Sequence, residues 1–579
     1  MTNALKNQHP EWIYPRDDKS WQEAIIDQFN IHPVISQVLV SRGFKSFDDI
    51  NSYLYAKLPN LCDPSLFPDM DKAVDRILQA HLAGEAILIF GDNDVDGITG
   101  TTLLFEFFKY LGIETYFLVA SRTLPGEGTL SEAKNCAIRN KCKLLITVDC
   151  GVTASEEIHD ITAAGVDVIV TDHHEPTAGI PHCVATLNPK LLNSTYPNRS
   201  ITGVGVAFKL AHAITNELME KKETQLFPKI DLKRYLDLVA LGTIADMGAL
   251  LGENRILVRY GLKQLRKTKR IGLAKLLDVC EVNMHAITTM DIASKVAPRL
   301  NSLGRIADPT KGVELLLIRD PQSAEALAKE LDLNNIERQK IERKDSEDIE
   351  NVIKNNPEIL ENKAIVLYST KWHPGIIPII TARVAKQYNR PTLIIAIENG
   401  IGKGSLRTIP EFPVLQPLRE LERYLLNFGG HDFAAGLSIE EKQIEPFKQE
   451  FLHIVNNKVK EHDLVPKLFL DAKVKFDDIT FDFLESLHLL EPFGTENQPP
   501  IFYAEAIQTW PPKIVGKTHL KLYLEQDGRV LEGIAFGLAE RRQELLKKNM
   551  KIQIAFTPYV NTFLNKSSIQ LLIKDFKEI

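Results

Sequence analysis

Three short apolar runs, AILIF (86–90), KLLITV (143–148) and VDVIV (166–170), are separated by helical patterns and each ends in acids or histidines. Runs of this length alternating with helices predict βαβ units and a parallel sheet buried on both faces. The first run leads into Gly91-Asp92-Asn93-Asp94-Val95-Asp96-Gly97, the second into Asp149-Cys150-Gly151 and the third into Thr171-Asp172-His173-His174-Glu175. The carboxyl edge of an open parallel sheet is where ligands bind, because strand ends and helix N-termini converge on one crevice. Three strands therefore bring metal-ligating side chains to a single edge.

Carboxylates at Asp92, Asp94 and Asp96 suit a hard divalent cation. An EF-hand is excluded, since its Glu position is Leu103 and a strand rather than a helix precedes the loop. On this segment alone two other readings stay open: a solvated acidic turn, and a haloacid-dehalogenase-type phosphatase with Asp94 as nucleophile, because DVDGIT resembles DxDGT. Mixed histidine and carboxylate ligands on neighbouring strands favour Mn²⁺ or Mg²⁺ over Zn²⁺ or Ca²⁺. Asp246, which ends the apolar helix LDLVALGTIA, is a further ligand candidate, since a charge ending a buried segment needs a partner.

At 579 residues the chain is too long for one core, and roughly 150 residues per domain gives about four. Its 44% hydrophobic and 25% charged composition is that of a soluble globular protein. Six cysteines without a CxxC pair argue against a disulfide framework or a zinc ribbon and fit a reducing cytoplasm. No stretch approaches the ~18 apolar residues of a membrane span. The net charge of −7 mildly disfavours nucleic acid. Residues 508–579, however, hold 12 Lys and Arg against 7 Asp and Glu, and Phe502, Tyr503, Trp510, Tyr523 and Phe536 lie on or beside their strands. One or two exposed rings there would stack bases. Many short strands after Pro466, with one helix over AERRQELLKK, predict a small barrel. The stretch from Ser323 to Asn356 predicts a long solvated helix with a narrow apolar stripe (Leu327, Leu331, Ile336, Ile341, Ile349).

GDNDVDG, VDCG, TDHH and LVALGTIAD, in this order, resemble the four motifs of the DHH phosphoesterase superfamily. WHPG (372–375), GKGSLR (402–407) and GGHDFAAG (429–436) resemble its DHHA1 domain, and EPFGTENQPPIF (491–502) resembles the start of the OB-type domain found in its exonuclease branch. The resemblance implies an α/β multidomain fold: a helical cap (1–70), a parallel-sheet DHH catalytic domain (71–320), a connecting helix (321–356), a DHHA1 domain (357–462) and an OB-type β-barrel (463–579). The implied activity is 5′→3′ hydrolysis of single-stranded DNA to 5′ mononucleotides in repair and recombination, by a cytoplasmic monomer working with helicase and single-strand-binding protein.

By the same resemblance two Mn²⁺ or Mg²⁺ ions are held by Asp94, Asp96, Asp149, His173 and Asp246, with Asp92 contributing. Asp149 bridges them, and His174 contacts phosphate or orients a ligand. Arg299 and Arg305, in PRLNSLGR, are implied to fork onto phosphate, with Asn301 beside them. Lys403, Ser405 and Arg407 are implied to grip a backbone phosphate, while Gly429, Gly430 and His431 reach the nucleotide next to the cut. The chain departs from the family pattern at Asn93, at GEGTL (126–130, including Thr129), at Met247-Gly248-Ala249, and at Pro378 and Leu406. These departures fall in substrate-handling loops. Two rival functions remain: a phosphodiesterase on short oligoribonucleotides, cyclic dinucleotides or pyrophosphate, and a non-catalytic single-strand-binding scaffold.

Overall fold

The computed structural model describes residues 9–121, 128–176, 179–220, 230–547, 549–563 and 566–579. They form two compact units: Lys57–Leu464 with Gly494–Glu496, and the residues up to Ala56 with Val465–Phe493 and Asn497–Ile579.

The first unit opens with α1 (Met70–Ala83) and a five-stranded sheet of β1 (Ala86–Gly91), β2 (Thr115–Val119), β3 (Cys142–Val148), β4 (Asp167–Thr171) and β5 (Ala185–Leu187). Every pairing is parallel, and the order is β2-β1-β3-β4-β5. The chain moves from β1 outward to β2 and then crosses to β3, so the switch point lies between β1 and β3, where such sheets bind ligands. The connecting helices are α2 (Val95–Tyr110), α3 (Leu130–Arg139) and α4 (Ser155–Ala163). Then follow α5 (Gly203–Glu220), α6 (Leu236–Ala245), α7 (Gly252–Leu265) and α8 (Ala297–Ile306). α6 is buried from Leu236 to Ile244 and apolar except for Thr243 and Asp237, whose carboxylate pairs with Arg270 at 3.2 Å.

α9 (Pro321–Asn355) leads to a second sheet of β6 (Ile365–Ser369), β7 (Thr392–Glu398), β8 (Ile401–Arg407), β9 (Leu425–His431) and β10 (Ala434–Glu440), ordered β9-β10-β8-β7-β6. Only β6 and β7 pair in parallel. α10 (Ile377–Tyr388) and α11 (Ile444–Lys458) complete this lobe. α9 is exposed along much of its length and buries Leu331 and Ile349 as expected, but its buried side is largely polar. Its buried positions include Asn335, Arg338, Glu342, Asp345 and Ser346, while Ile336 is exposed. Burial of these polar groups is compensated locally: Glu342 pairs with Arg338 and Arg383, Asp345 accepts the His373 N–H at 2.9 Å, and Asp348 accepts the Trp372 indole at 2.8 Å.

In the second unit β11 (Phe502–Gln508), β12 (His519–Gln526), β13 (Arg529–Ala535), β14 (Met550–Phe563) and β15 (Lys566–Glu578) run in the order β11-β14-β15-β13-β12. Pairing of β12 back onto β11 closes the barrel. The helix expected over AERRQELLKK is a 3₁₀ run, Ala539–Leu545, whose Arg541 is drawn inward by Asp575. The N-terminal helices Lys19–Phe29, Pro33–Ser41 and Phe47–Tyr55 are not a separate cap. Their Ile25, Ile35, Val38, Leu39 and Ile50 share one core with Phe476, Phe502 and Phe556 of the barrel. The strand Glu11–Ile13 pairs with Lys467–Phe469, and Trp12 donates to Asp575 at 2.6 Å.

A buried ion pair joins two of the helices that follow the first sheet. Lys209 of α5 donates to Glu253 of α7 at 2.9 Å, and both are almost wholly buried. Glu253 also accepts from the Cys62 N–H and the Tyr196 hydroxyl. Removing one partner of such a pair strands the other without solvent. Glu253→Ala is expected to destabilise the first unit by about 3–5 kcal/mol, read as a lowered urea midpoint.

Candidate metal centre and strand trough

β1 ends at the switch point, and α2 begins four residues later with Asp94 as its N-cap. One Asp94 oxygen accepts the N–H groups of Asp96 (2.9 Å) and Gly97 (3.2 Å). The acidic cluster is therefore split between a loop and the first turn of a helix. Asp96 is fully buried, and its two oxygens accept the N–H groups of Gly203 (2.6 Å) and Val204 (2.9 Å) at the start of α5. Burial and the neighbouring Asp94 push Asp96 up to about 7, against the pull of those donors. Asp149 follows β3 with φ +62°, a left-handed conformation that points to a backbone held by its surroundings. Close approach explains two glycines: a Cβ at Gly203 would lie 2.5 Å from the Asp149 Cβ, and one at Gly242 would lie 2.8 Å from an Asp96 oxygen. α6 thus passes close enough to deliver Asp246 from its C-terminus.

Asp92, Asp94 and Asp149 place carboxylate oxygens within 4.8 Å of one another. Asp96, His173 and Asp246 form a second set of the same tightness, and Asp149, His173 and His174 a third. His173 Nε2 lies 3.0 Å from Asp149, 3.8 Å from Asp96 and 3.8 Å from Asp246. Burial, then the charges of Asp96 and Asp94, raise Asp149 and Asp246 well above the usual carboxylate range. Burial pushes His173 down to about 3. Asp149 Oδ1 and His173 Nε2 are buried and face each other at 3.0 Å, yet neither makes a hydrogen bond. Orphaned acceptors among crowded acids are the signature of a cation site, and carboxylates with imidazole suit Mn²⁺ or Mg²⁺.

Asp172, to which the TDHH motif alone assigns no part, braces the histidines. Its Oδ1 accepts from the His173 and His174 N–H groups (2.7 and 3.1 Å) and bonds the His174 ring at 2.7 Å, while Oδ2 accepts the Val152 N–H at 2.9 Å. Burial opposes charge on both partners, yet their mutual contact outweighs it. Asp172 falls to about 2 and His174 rises to about 9, leaving a charged imidazolium at the site.

The second lobe offers a trough. Lys403, Ser405 and Arg407 alternate along β8 and so share one face. Cross-strand register sets Arg407 beside Ala434 and His431, Ser405 beside Gly436 and Gly429, and Lys403 beside Ser438 and Asn427. Small residues floor this face and cations edge it. Arg407 contacts Ser405 Oγ at 3.3 Å and the Leu406 carbonyl at 2.9 Å, and burial lowers its pKa. Gly430 has φ +137°, and a Cβ there would lie 2.3 Å from the Ala434 carbonyl, so it shapes the turn rather than the floor. The His431 ring stacks on His174 with centroids 6.4 Å apart, joining trough to metal centre.

Three expected substrate residues also make contacts within the protein. Arg299 pairs with Asp332 of α9 at 2.9 Å and donates to the Lys295 carbonyl, which ties α8 to α9. Arg305 donates to the Gly375 carbonyl at 2.7 Å, and Asn301 accepts the Val95 N–H at 3.2 Å, supporting the start of α2. Of the departures, Thr129 caps α3, Pro378 sits in the first turn of α10, Leu406 is fully buried and Asn93 packs against Gly304. Met247 is exposed with φ +60°. Gly126 and Glu127 lie outside the described residues.

Residues 86–243 match the DHH family N-terminal domain, 361–461 the DHHA1 domain and 470–575 the RecJ OB domain. The single-stranded-DNA-specific exonuclease RecJ of Haemophilus influenzae is 32% identical over 94% of this chain and 96% of its own length. The chain belongs to the RecJ family. RecJ of Bacillus subtilis is 33% identical over 97% of this chain and 70% of its own. The crystal structure of Thermus thermophilus RecJ in complex with Mn²⁺ matches with a TM-score of 0.82 at 26% identity, covering 98% of this chain and 80% of that one. The RecJ assignment accounts for the parallel sheet, the mixed sheet and the barrel together.

A metal must displace protons from the raised carboxylates, so its affinity increases with pH. Acids whose folded pKa is raised stabilise the fold at low pH and lose that contribution as pH climbs through the folded value, about 7 for Asp96. His174, pushed up to about 9, acts in the same direction, because the unfolded imidazole has lost its proton where the folded one still holds it, while His173, pushed down to about 3, changes little between pH 6.5 and 8.5. The metal-free protein is expected to melt lower as pH rises across that window, with Mn²⁺ restoring more stability at the upper end, as scanning calorimetry would record. Asp172→Ala is expected to cost roughly 10–100-fold in kcat while circular dichroism stays unchanged.

Proposed function

We propose that this chain is a divalent-metal-dependent exonuclease that hydrolyses single-stranded DNA from the 5′ end to 5′ mononucleotides. The observation that carries this reading is Asp149, buried within reach of the Asp92 and Asp94 carboxylates and 3.0 Å from His173 Nε2, in a centre that the His174–His431 contact joins to a cation-edged trough. Asp92, Asp94, Asp96, Asp149, His173 and Asp246 would hold the metal. Divalent ions bound there supply Lewis acidity to the phosphate and a water acidic enough to attack near neutral pH.

The protein side chains do the rest. Asp172 keeps the His174 imidazolium charged and oriented, so that its ring can donate to a phosphate oxygen. Ser405 and Arg407 grip the neighbouring phosphate, and Lys403, exposed at the trough's end, meets the next. Gly429 and Gly436 leave space for a sugar-phosphate backbone above the strands. Repeated backbone contacts without base-edge readers give a sequence-independent grip. In the second unit Trp510 and Phe536 are exposed, while Phe502 is core. Lys513 and Lys521 flank the Tyr523 ring at 5.7 and 5.5 Å. Exposed rings among lysines suit unpaired bases and explain how a chain of net charge −7 holds DNA. Partnership with helicase and single-strand-binding protein belongs to the same reading. Among the described residues no helix is long and apolar enough to cross a membrane.

With Mn²⁺, a 3′-labelled single strand is expected to shorten from its 5′ end, while a blunt duplex and a short oligoribonucleotide persist. Asp149→Ala is expected to abolish the reaction with the fold intact. Preferred cleavage of the oligoribonucleotide would assign the chain to the short-substrate phosphodiesterases, and binding without cleavage would make it a scaffold.

A further inference from the structure

Beside the metal centre stands a cation outside every motif named above. β5 runs into Asn188-Pro189-Lys190, on the strand next to the one that carries His173 and His174. Asn188 is fully buried. Its amide donates to the His174 carbonyl at 2.9 Å, and its Oδ1 accepts the Lys190 N–H at 2.8 Å. Two hydrogen bonds therefore fix the Lys190 backbone relative to His174, and Arg199 adds a third contact to the Lys190 carbonyl at 3.2 Å. The Lys190 side chain is only 16% exposed, and its ammonium meets Glu175 at 3.3 Å, on a carboxylate side chain that is 51% exposed. Its charge acts on Asp246 and His173 in the metal centre and on His431 in the trough.

A pair with one half-exposed member contributes little to stability, because water screens it and ordering the side chains opposes it. A lysine anchored this firmly between acid pocket and trough is placed instead for an anion that enters from solvent. We propose that Lys190 is a substrate-binding residue whose ammonium contacts a non-bridging phosphate oxygen of the strand lying over His174. Glu175 holds the ammonium in position until the phosphate displaces its carboxylate into water. This deepens the exonuclease reading above and rests on it.

The test compares wild type, Lys190→Ala, Lys190→Arg, Glu175→Gln and the Lys190→Ala/Glu175→Gln double variant. Hydrolysis of labelled single strands with Mn²⁺ gives KM and kcat, anisotropy gives Kd, and calorimetry gives Mn²⁺ affinity. Lys190→Ala is expected to raise KM and Kd roughly tenfold with kcat little changed, and to flatten the log–log salt dependence of binding by about 0.7, one phosphate contact. Lys190→Arg should recover most of this. Glu175→Gln should tighten binding in the wild type and have no effect once Lys190 is gone. Equal tightening in both backgrounds would reduce Glu175 to general repulsion and overturn the proposal. So would an unchanged salt slope in Lys190→Ala, or a parallel loss of Mn²⁺ affinity that marks a merely structural lysine. If the wild type binds single strands but does not cleave them, the exonuclease reading fails while the Kd series still decides on Lys190. A wild type that neither binds nor cleaves overturns both.

Discussion

Five carboxylates gathered at one end of a buried sheet repel one another, and the surrounding fold is arranged to hold them there. Asp96 is restrained by the first N–H groups of α5, Asp94 by the first N–H groups of α2, and Asp149 by a left-handed backbone with Gly203 pressed against it. A helix N-terminus carries partial positive charge, so two helices partly offset the crowding that a divalent cation completes. Helix α6 supplies Asp246 only because Gly242 permits its approach. The strand order puts all of this at the point where connections diverge to either side of β1 and β3, which leaves the crevice open.

The same economy extends to the second lobe of this unit. α9 is gripped along a polar stripe by Arg383, Trp372 and the His373 backbone, while Arg299 and Arg305 spend their guanidinium groups on α9 and on the loop at Gly375. Directional hydrogen bonds specify one docking geometry where a greasy face would allow several. The stacked pair His174–His431 is where that geometry reaches the chemistry, since it sets the trough of β8, β9 and β10 against the candidate metal ligands.

Much of this is legible in the sequence. Apolar runs of five or six residues with acids at their ends determine a parallel sheet and its active edge, because the period and the placement of charge admit few other folds. The clustering of acids and histidines at that edge is readable for the same reason, and the resemblance to the DHH superfamily selects the candidate ligands among them. Less legible are residues whose part depends on distant partners. Arg299 looks like a phosphate ligand in the sequence, where its pairing with Asp332 of α9 cannot be read. Ile336 completes an apolar stripe in the sequence and faces outward, because the buried side of α9 is chosen by Arg383 and the WHPG loop. The N-terminal helices read as a cap and instead complete the barrel core through Ile25, Ile35 and Ile50.

Local hydrophobic pattern and chemical type suffice for the sheet, the order of the motifs and the gathering of acids and histidines at one edge, while the choice of ligands among them is what the resemblance to the DHH superfamily implies. Tertiary structure alone decided that Asp149 lies within reach of both Asp92–Asp94 and His173, that Asp172 pairs with the His174 ring, and that Lys190 is anchored to His174 through Asn188. These are distances between groups that no short motif spans, and protonation in a buried cluster follows from such distances and from exclusion of water, neither of which a linear pattern contains.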